Sequence, residues 1–157
     1  MVSGNRCVGG LLGHDRGSML EYSHATGRVT GIDRVGGLVG GCEGEGECDT
    51  MILQCYSTGH VVGERNVGGL VGSGFWCGDL YCSVDWFRTG SFWDIESSGL
   101  CESAGGTGLT TAEMQTAGTF LEAGWDFLDE TENGTDDIWW ILEGQDYPRL
   151  WWEPANR

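Results

Sequence analysis

The chain has 157 residues, of which 29 are glycine and two are proline, and 24 acidic residues against eight arginines give a net charge of −16. This acidity argues against nucleic acid and anionic membranes as partners. Collagen is excluded because glycine has no strict three-residue period, and no apolar run reaches the 18 residues that would span a bilayer. Aromatic residues make up 11% of the chain, too many for plain disorder.

A six-residue motif occurs three times in the first half of the chain. It reads VGGLLG at 8–13 and VGGLVG at 35–40 and 67–72. A second word begins six residues before each motif, at Val2, Val29 and Val61. A third word ending in Thr-Gly occurs at 25–27, 57–59 and 88–90. All variation in repeat length falls between the motif and the third word, as loops protruding from one side of a coil would produce.

The composition of these repeats predicts strands rather than helices. Glycine, valine, threonine and serine disfavour helix interiors, and a glycine pair turns the backbone without a Cβ clash. We therefore expect an all-β fold, a right-handed parallel β-solenoid fragment of about three turns with a small mixed C-terminal cap. A flexible glycine-rich linker is the alternative, but linkers do not keep apolar residues in register. The solenoid would stack two columns about 4.8 Å apart, one of Val8, Val35 and Val67 and one of Leu11, Leu38 and Leu70.

The repeats resemble a known family. The stretches NVGGLVG at 66–72 and CYSTGHVVG at 55–63 are similar to the GLUG-motif repeats of bacterial secreted and cell-surface proteins. The resemblance covers residues 1–93, departs from the pattern at Leu12 and in the cysteine-bearing insertions, and leaves 94–157 as an aromatic-rich C-terminal cap. GLUG repeats occur in adhesin-like proteins and beside the catalytic domain of some immunoglobulin-A peptidases. The resemblance implies an exported protein, extracellular or on the cell surface, of which this chain is a part.

The last third of the chain has a different pattern. Capping-box spacing at 110–113 and again at 119–122, before Gly124, predicts two short helical turns. The apolar runs 125–127 and 138–141 predict a hairpin across the acidic turn 129–137. A segment of the form GWDF…W…YPRL is similar to the one that closes GLUG arrays. We expect the cap core to contain Trp125, Phe127, Trp139, Ile141, Tyr147 and Leu150.

Trp151 and Trp152 are the candidate ligand-binding residues. An adjacent tryptophan pair at the end of the cap forms either buried core or a platform for sugar rings. The second reading makes the chain a carbohydrate-binding accessory module of a secreted enzyme or peptidase.

The cysteines say more about the redox environment of the protein than about a catalytic or metal site. Cys42 with Cys48, and Cys77 with Cys82, are candidate loop disulfides in an exported protein, and bridges between turns are equally allowed. A zinc site is disfavoured because these cysteines lack a matched second pair at zinc-ligand spacing. The odd number of cysteines leaves at least one thiol free or joined to further sequence, with Cys7 and Cys101 as the candidates.

An acidic loop supplies the one candidate metal site. Glu43, Glu45, Glu47 and Asp49 place four carboxylates within seven residues, a set that suits calcium. Neither this loop nor 129–137 has the full EF-hand pattern, so solvated surface charge is the default interpretation. No other cofactor is expected.

No catalytic motif is present in the sequence. It lacks the G-x-S-x-G elbow, the H-E-x-x-H helix and the phosphate-binding loop. An enzyme built on solenoid carboxylates would need a column of charged residues on one face, whereas the stacked words offer Thr, Ser, His and Arg28. We therefore expect a non-catalytic structural or adhesive module whose partner is a host or matrix glycan or protein, with no nucleic acid and no membrane insertion.

Overall fold

The computed structural model describes residues 1–15, 17–42, 51–73 and 90–154. The chain forms two compact units, Met1–Leu109 and Thr110–Arg157. The boundary expected from the sequence, between 93 and 94, lies earlier, within the strand Phe92–Asp94. That strand pairs with Thr107–Leu109, so contacts group residues 94–109 with the first unit.

Strands dominate the described residues, as expected for the all-β class. Repeat 1 comprises β1 (Val2–Ser3), β2 (Arg6–Gly9), β3 (Leu12–Asp15), β4 (Met19–Glu21) and β5 (His24–Ala25). Repeat 2 comprises β6 (Val29–Thr30), β7 (Asp33–Gly36), β8 (Val39–Cys42), β9 (Met51–Leu53) and β10 (Tyr56–Ser57). Repeat 3 comprises β11 (Val61–Val62), β12 (Arg65–Gly68), β13 (Val71–Ser73) and β14 (Phe92–Asp94), followed by α1 (Ile95–Ser98) and β15 (Thr107–Leu109).

Each strand pairs with its counterpart in the next repeat, and every such pairing is parallel. The sheets of the first unit have the orders β1-β6-β11, β2-β7-β12, β3-β8-β13, β4-β9 and β5-β10-β14-β15. Val35 lies between Val8 and Val67, and Val29 lies between Val2 and Val61. The predicted valine register is therefore confirmed.

The leucine column is also confirmed. The Leu11 amide donates to the Leu38 carbonyl at 3.0 Å, and the Leu38 amide donates to the Leu70 carbonyl at 2.9 Å. Leu38 and Leu70 are fully buried, whereas Leu11 is 47% exposed. The valines and the leucines occupy two separate core clusters. The two halves of each motif thus bury their apolar side chains in different places.

The glycine pair of each motif is required by close backbone packing. A Cβ on Gly36 would overlap the Val39 carbonyl oxygen and approach the Gly72 nitrogen to 2.6 Å. A Cβ on Gly37 would lie 2.7 Å from Ser57 Oγ, which donates to the Gly69 carbonyl. No side chain fits at either position, so the glycines allow the chain to turn and the repeats to approach.

Left-handed backbone recurs at one corner of every repeat. The residue directly before each motif valine has a positive φ: 53° at Cys7, 56° at Arg34 and 51° at Asn66. Left-handed conformations are uncommon outside glycine and asparagine. The corner therefore belongs to the repeat geometry, whichever side chain occupies it.

The third copy of the Thr-Gly word was assigned wrongly from the sequence. Ala25 pairs with Ser57 as expected, but Ser57 pairs on its other side with Trp93 rather than with Arg88. Trp93 packs over Gly69, as Ala25 packs over Gly10 and Ser57 over Gly37. The stacked position is therefore defined by a side chain that packs over the second glycine of the motif. A following Thr-Gly is not needed for this packing.

The far side of repeat 3 is covered within the first unit. The Gly69 amide donates to the Glu102 carbonyl at 3.0 Å, and the Ala104 amide donates to the Val71 carbonyl at 3.0 Å. Ser103 Oγ accepts from the amides of Leu70 and Val71. The segment 102–106 therefore continues the pairing that repeats 1 and 2 make with their successors.

The second unit contains α2 (Thr111–Met114), α3 (Ala117–Leu121), β16 (Trp139–Trp140) and β17 (Arg149–Leu150). The first predicted cap is confirmed, since Thr110 and Glu113 form a reciprocal capping box before α2. Both predicted helical turns are therefore present, but the second cap is wrong, because Thr119 lies inside α3, which begins two residues earlier. The Ala117 amide at the start of α3 donates to the Glu143 carboxylate at 2.8 Å, so a distant side chain replaces the local cap.

The predicted hairpin is also wrong. Phe127 and Trp139 form an isolated parallel bridge, and β16 pairs antiparallel with β17. The acidic segment is therefore a crossover rather than a turn. Asn133 Nδ2 holds it against the end of α3 by donating to the Leu121 carbonyl at 2.9 Å.

Aromatic rings fill the core of the second unit. Trp125, Phe127, Trp139 and Leu150 are buried as predicted, whereas Ile141 and Tyr147 are only partly buried. Trp125 lies between Phe120 and Trp139, with ring centroids 4.7 and 4.6 Å away. Sequence reasoning missed Met114 and Phe120, which are fully buried on the short helices.

Candidate functional sites

The two candidate ligand-binding tryptophans are on the surface. Trp151 is 64% exposed and Trp152 is 59% exposed, directly after β17. Their rings meet edge to face with centroids 5.5 Å apart. Fully buried Trp125 and Trp139 lie in the same unit, so this pair stands apart from the aromatic core. Exposed rings held at a fixed angle offer an apolar face to a ligand.

A column of alternating charges runs across the three repeats. Arg6, Asp33 and Arg65 pair in register two residues before the motif valines. Asp33 Oδ2 lies 3.6 Å from Arg6 Nε, and Asp33 Oδ1 lies 3.7 Å from Arg65 Nε. Both guanidinium groups are largely exposed, so these ion pairs add little to stability.

Asp33 is the charged centre of this column. Asn66 Nδ2 donates to Asp33 Oδ1 at 2.8 Å. This hydrogen bond, with Arg65, Arg34 and Arg6 nearby, holds the pKa of Asp33 below its ordinary value against a smaller opposing effect of desolvation. Asp33 is thereby kept ionised, which suits an anion in an ion-pair column and not a proton donor.

The charged column corrects one expectation from the sequence. From the sequence we expect the stacked positions to contain Thr, Ser, His and Arg28. The structure shows that Arg6, Asp33 and Arg65 also stack, as the charged column. Sequence reasoning missed it, although counting back two residues from each motif valine reveals it. The charged column contains a single carboxylate, that of Asp33. Glycoside hydrolysis uses two carboxyl groups with separate roles.

Several predicted site residues fall outside the described part of the chain. These are the candidate calcium ligands Glu43, Glu45, Glu47 and Asp49 and the cysteines Cys48, Cys77 and Cys82. Cys42 ends β8, and its side chain is not described. The calcium loop and the two disulfides therefore stay predictions.

Three described cysteines are free thiols in different surroundings. Cys7, which is partly buried, and Cys101, which is exposed, are free thiols here, and a bond from either to further sequence stays a prediction. Cys55 is fully buried, and its thiol donates to the Leu53 carbonyl at 3.2 Å. Burial raises the pKa of Cys55 to about 12, so its thiol is protonated and unreactive at neutral pH.

Three buried carboxylates hold local structure. Asp15 Oδ1 accepts from Ser18 Oγ at 2.6 Å, Asp94 Oδ1 caps α1 through the amides of Glu96 and Ser97, and Asp126 Oδ2 accepts from the Asp136 amide at 2.8 Å. Within the described ranges, no group of three or more His, Cys, Asp or Glu side chains is placed to hold a metal ion. In that same part of the chain, no helix is long and apolar enough to cross a membrane.

Comparison with known proteins matches one part of the repeat region to a family model. Residues 4–30 match the family model described as the GLUG motif. The chain is also 35% identical over 143 residues to a Gly-rich membrane protein of Evansella cellulosilytica. That match covers 90% of this chain and 11% of the relative. No solved structure matches the chain with significance.

Proposed function

We propose, from the premise that this chain carries the GLUG motif, that it is a non-catalytic structural module of an exported bacterial surface protein. The parallel strands would form a closed, right-handed β-solenoid of about three turns. The observation that carries this proposal is the shared register of the three motif copies, with Val8, Val35, Leu38 and Leu70 buried in two columns. A stack of this kind produces length and rigidity, which suit a stalk or an adhesive surface.

Surface placement is supported by the relative and by the charge. The relative's name places that protein in a membrane, and a strongly acidic surface suits exposure to solvent. Protease treatment of intact cells that produce the full-length protein tests the placement. We expect fragments of this chain to be released from intact cells, whereas cleavage only after lysis would contradict it.

An activity assay tests the proposal that this module is non-catalytic. Purified protein incubated with acidic polysaccharides should release no reducing ends above the buffer control. Turnover that disappears in the Asp33→Asn variant would contradict a structural role, because Asp33 is the one carboxylate of the charged column.

Carbohydrate binding is a second candidate function, favoured by the exposed Trp151 and Trp152. Large aromatic rings left in solvent beside a filled core suit stacking against the apolar face of a sugar. The ligand would be a host or matrix glycan.

A glycan array with matched variants tests this candidate. Trp151→Ala and Trp152→Ala should each abolish binding, whereas Leu128→Ala, which truncates another exposed apolar side chain of the same unit, should preserve it. Binding that is indifferent to both tryptophans would reject the platform, and no binding to any glycan would leave the structural role alone.

A further inference from the structure

The crossover of the second unit, residues 129–137, contains a chemically labile pair. Asn133 is exposed and is followed by Gly134. An asparagine side chain can be attacked at its Cγ by the backbone nitrogen of the next residue, and glycine hinders this attack least because it has no Cβ. The other three asparagines of the chain precede arginine or valine. Asn133 is therefore the asparagine at which the sequence favours this reaction most.

Both members of this pair are held in place by contacts. Asn133 Nδ2 donates to the Leu121 carbonyl at 2.9 Å and to the Trp125 carbonyl at 3.2 Å. Gly134 has a φ of 156°, a conformation that glycine adopts more readily than other residues. A Cβ on Gly134 would overlap Asp126 Oδ2 and lie 2.8 Å from Asp126 Cγ. Replacing either residue would therefore disturb contacts that fix the crossover.

A buried carboxylate adjoins the labile pair. Asp126 is only 6% exposed, and its Oδ2 accepts from the Asp136 amide at 2.8 Å. Its Oδ1 is shielded from solvent and has no hydrogen-bond partner among the described residues. Buried polar atoms in folded proteins nearly always have partners, so this oxygen is left able to accept a proton. A carboxylate acts as a general base when it reaches the proton directly or through one water.

The Gly134 amide supplies the proton for such a base. In the described part of the chain, this amide makes no hydrogen bond to another group. Its proton is therefore not held by a competing acceptor. The Asp126 carboxylate packs against Gly134 on the side where a Cβ would be. The nucleophile, the electrophilic Cγ of Asn133 and a base are thus brought together by two consecutive residues and one buried neighbour.

We propose that Asn133 deamidates spontaneously in the folded protein, with Asp126 as the base. The carboxylate accepts the proton of the Gly134 amide, whose nitrogen attacks Cγ of Asn133. A bond forms between this nitrogen and Cγ, the bond from Cγ to Nδ2 breaks, and Nδ2 leaves as ammonia with the proton returned by Asp126. Water then opens the succinimide ring and leaves aspartate or isoaspartate at position 133. Water is the only co-reactant, and no group is oxidised or reduced.

Deamidation releases the crossover from the end of α3. The product is a carboxylate, which accepts hydrogen bonds and donates none. It loses both bonds to the Leu121 and Trp125 carbonyls and places a negative charge against their oxygens. Because ammonia is lost, the change from a fixed segment to a looser one is permanent.

Peptide mapping by mass spectrometry tests the reaction. Purified protein is held in mildly alkaline buffer, and the conversion of Asn133 is followed beside that of Asn66, an exposed asparagine that precedes Val67. We expect aspartate and isoaspartate to accumulate at position 133 while Asn66 stays intact. Conversion of both asparagines at equal rates would contradict the proposal.

The same measurement in denaturant gives the rate of the reaction without the fold. We expect Asn133 to react at least about tenfold faster in the native protein than in denaturant, because the base is positioned only there. A native rate equal to or below the denatured rate would overturn the proposal. This comparison needs no variant.

The base is tested by Asp126→Asn, which keeps the shape of the side chain and an acceptor for the Asp136 amide. The native rate at Asn133 should fall to that of the denatured chain, whereas the rates in denaturant should be the same for both proteins. Thermal unfolding shows whether the variant is folded in the assay. An unchanged native rate in the folded variant would overturn the role of Asp126. If the variant does not fold, the native and denatured rates of the wild type decide.

The effect on the crossover is tested by Asn133→Asp, which installs the product side chain. It should lower the thermal midpoint by about 3 °C and quicken hydrogen exchange of the Asp136 amide, which bonds to Asp126. Asn5→Asp makes the same change of charge at an exposed side chain of the first unit and should shift the midpoint by less than about 1 °C. Equal midpoints for the two variants and unchanged exchange would show that the crossover is not released.

Discussion

Single residues of this protein are constrained by what stacks above and below them. Cys55 lies between Ser23 and Ser91: the Tyr56 amide donates to the Ser23 carbonyl, and the Cys55 amide donates to Ser91 Oγ at 3.1 Å. Its thiol is sealed inside the first unit. The neighbouring residues thus determine the chemistry of the thiol.

The first prediction concerns the pH dependence that Cys55 imposes. Its folded pKa of about 12 lies above the ordinary thiol value, so the unfolded chain loses this proton first. The contribution to stability is complete below about pH 8.5 and is lost as the pH rises toward 12, by at most about 1.4 kcal/mol per pH unit. Denaturant titrations between pH 8 and 10.5 should show a steeper loss for the wild type than for Cys55→Ala.

Thiol labelling provides the control for Cys55. Iodoacetamide should modify exposed Cys101 quickly in the native protein and leave Cys55 unmodified until denaturant is added. Equal labelling of both cysteines under native conditions would contradict the burial of Cys55.

The second prediction concerns the motif glycines. Gly36→Ala should lower the free energy of unfolding by about 3 kcal/mol or prevent folding, because the added Cβ collides with backbone that cannot move independently. Gly27→Ala is the matched control, since its Cβ would meet no atom closer than the Met1 nitrogen at 3.8 Å. Urea denaturation of both variants measures the difference, and similar losses would refute the steric argument.

At the scale of elements, the helices of the second unit show two ways of satisfying a helix start. Helix α2 is capped locally, by Thr110 and Glu113. Hydrogen bonds from Thr110 hold the pKa of Glu113 below its ordinary value, so this cap is complete at neutral pH and weakens on acidification through the carboxyl's titration range. Helix α3 depends instead on Glu143.

The third prediction distinguishes the real cap from the one expected at Thr119. Thr110→Ala should cost about 1 kcal/mol of stability, because it leaves the Glu113 amide without its acceptor. Thr119→Ala lies inside α3 and should change stability by no more than about 0.5 kcal/mol. Thermal unfolding at neutral pH measures the stability of both variants. A larger loss of stability for Thr119→Ala than for Thr110→Ala would contradict this assignment of the caps.

At the scale of the whole molecule, burial depends on position along the stack. Leu38 has a repeat on each side, whereas Leu11 has one on a single side. The same leucine in two copies of the motif therefore has different surroundings. A stack of this kind is weakest at an uncovered end.

The fourth prediction tests this gradient. Leu38→Ala should cost about 3 to 4 kcal/mol, because it leaves a cavity in the core. Leu11→Ala should cost less than about 1 kcal/mol, since nearly half of that side chain is already in solvent. Equal costs in chemical denaturation would show that the two repeats are not stacked as described.

The sequence by itself determined the repeat register, the stacking of the valines and leucines in two columns and the cap at Thr110. Each depends on spacing within a few residues or on a period that the chain repeats. Only the tertiary structure placed Trp93 over Gly69, joined Phe127 to Trp139 in parallel and supplied Glu143 to α3. These features depend on contacts between residues that are far apart in the chain and share no repeated spacing, so no local pattern predicts them.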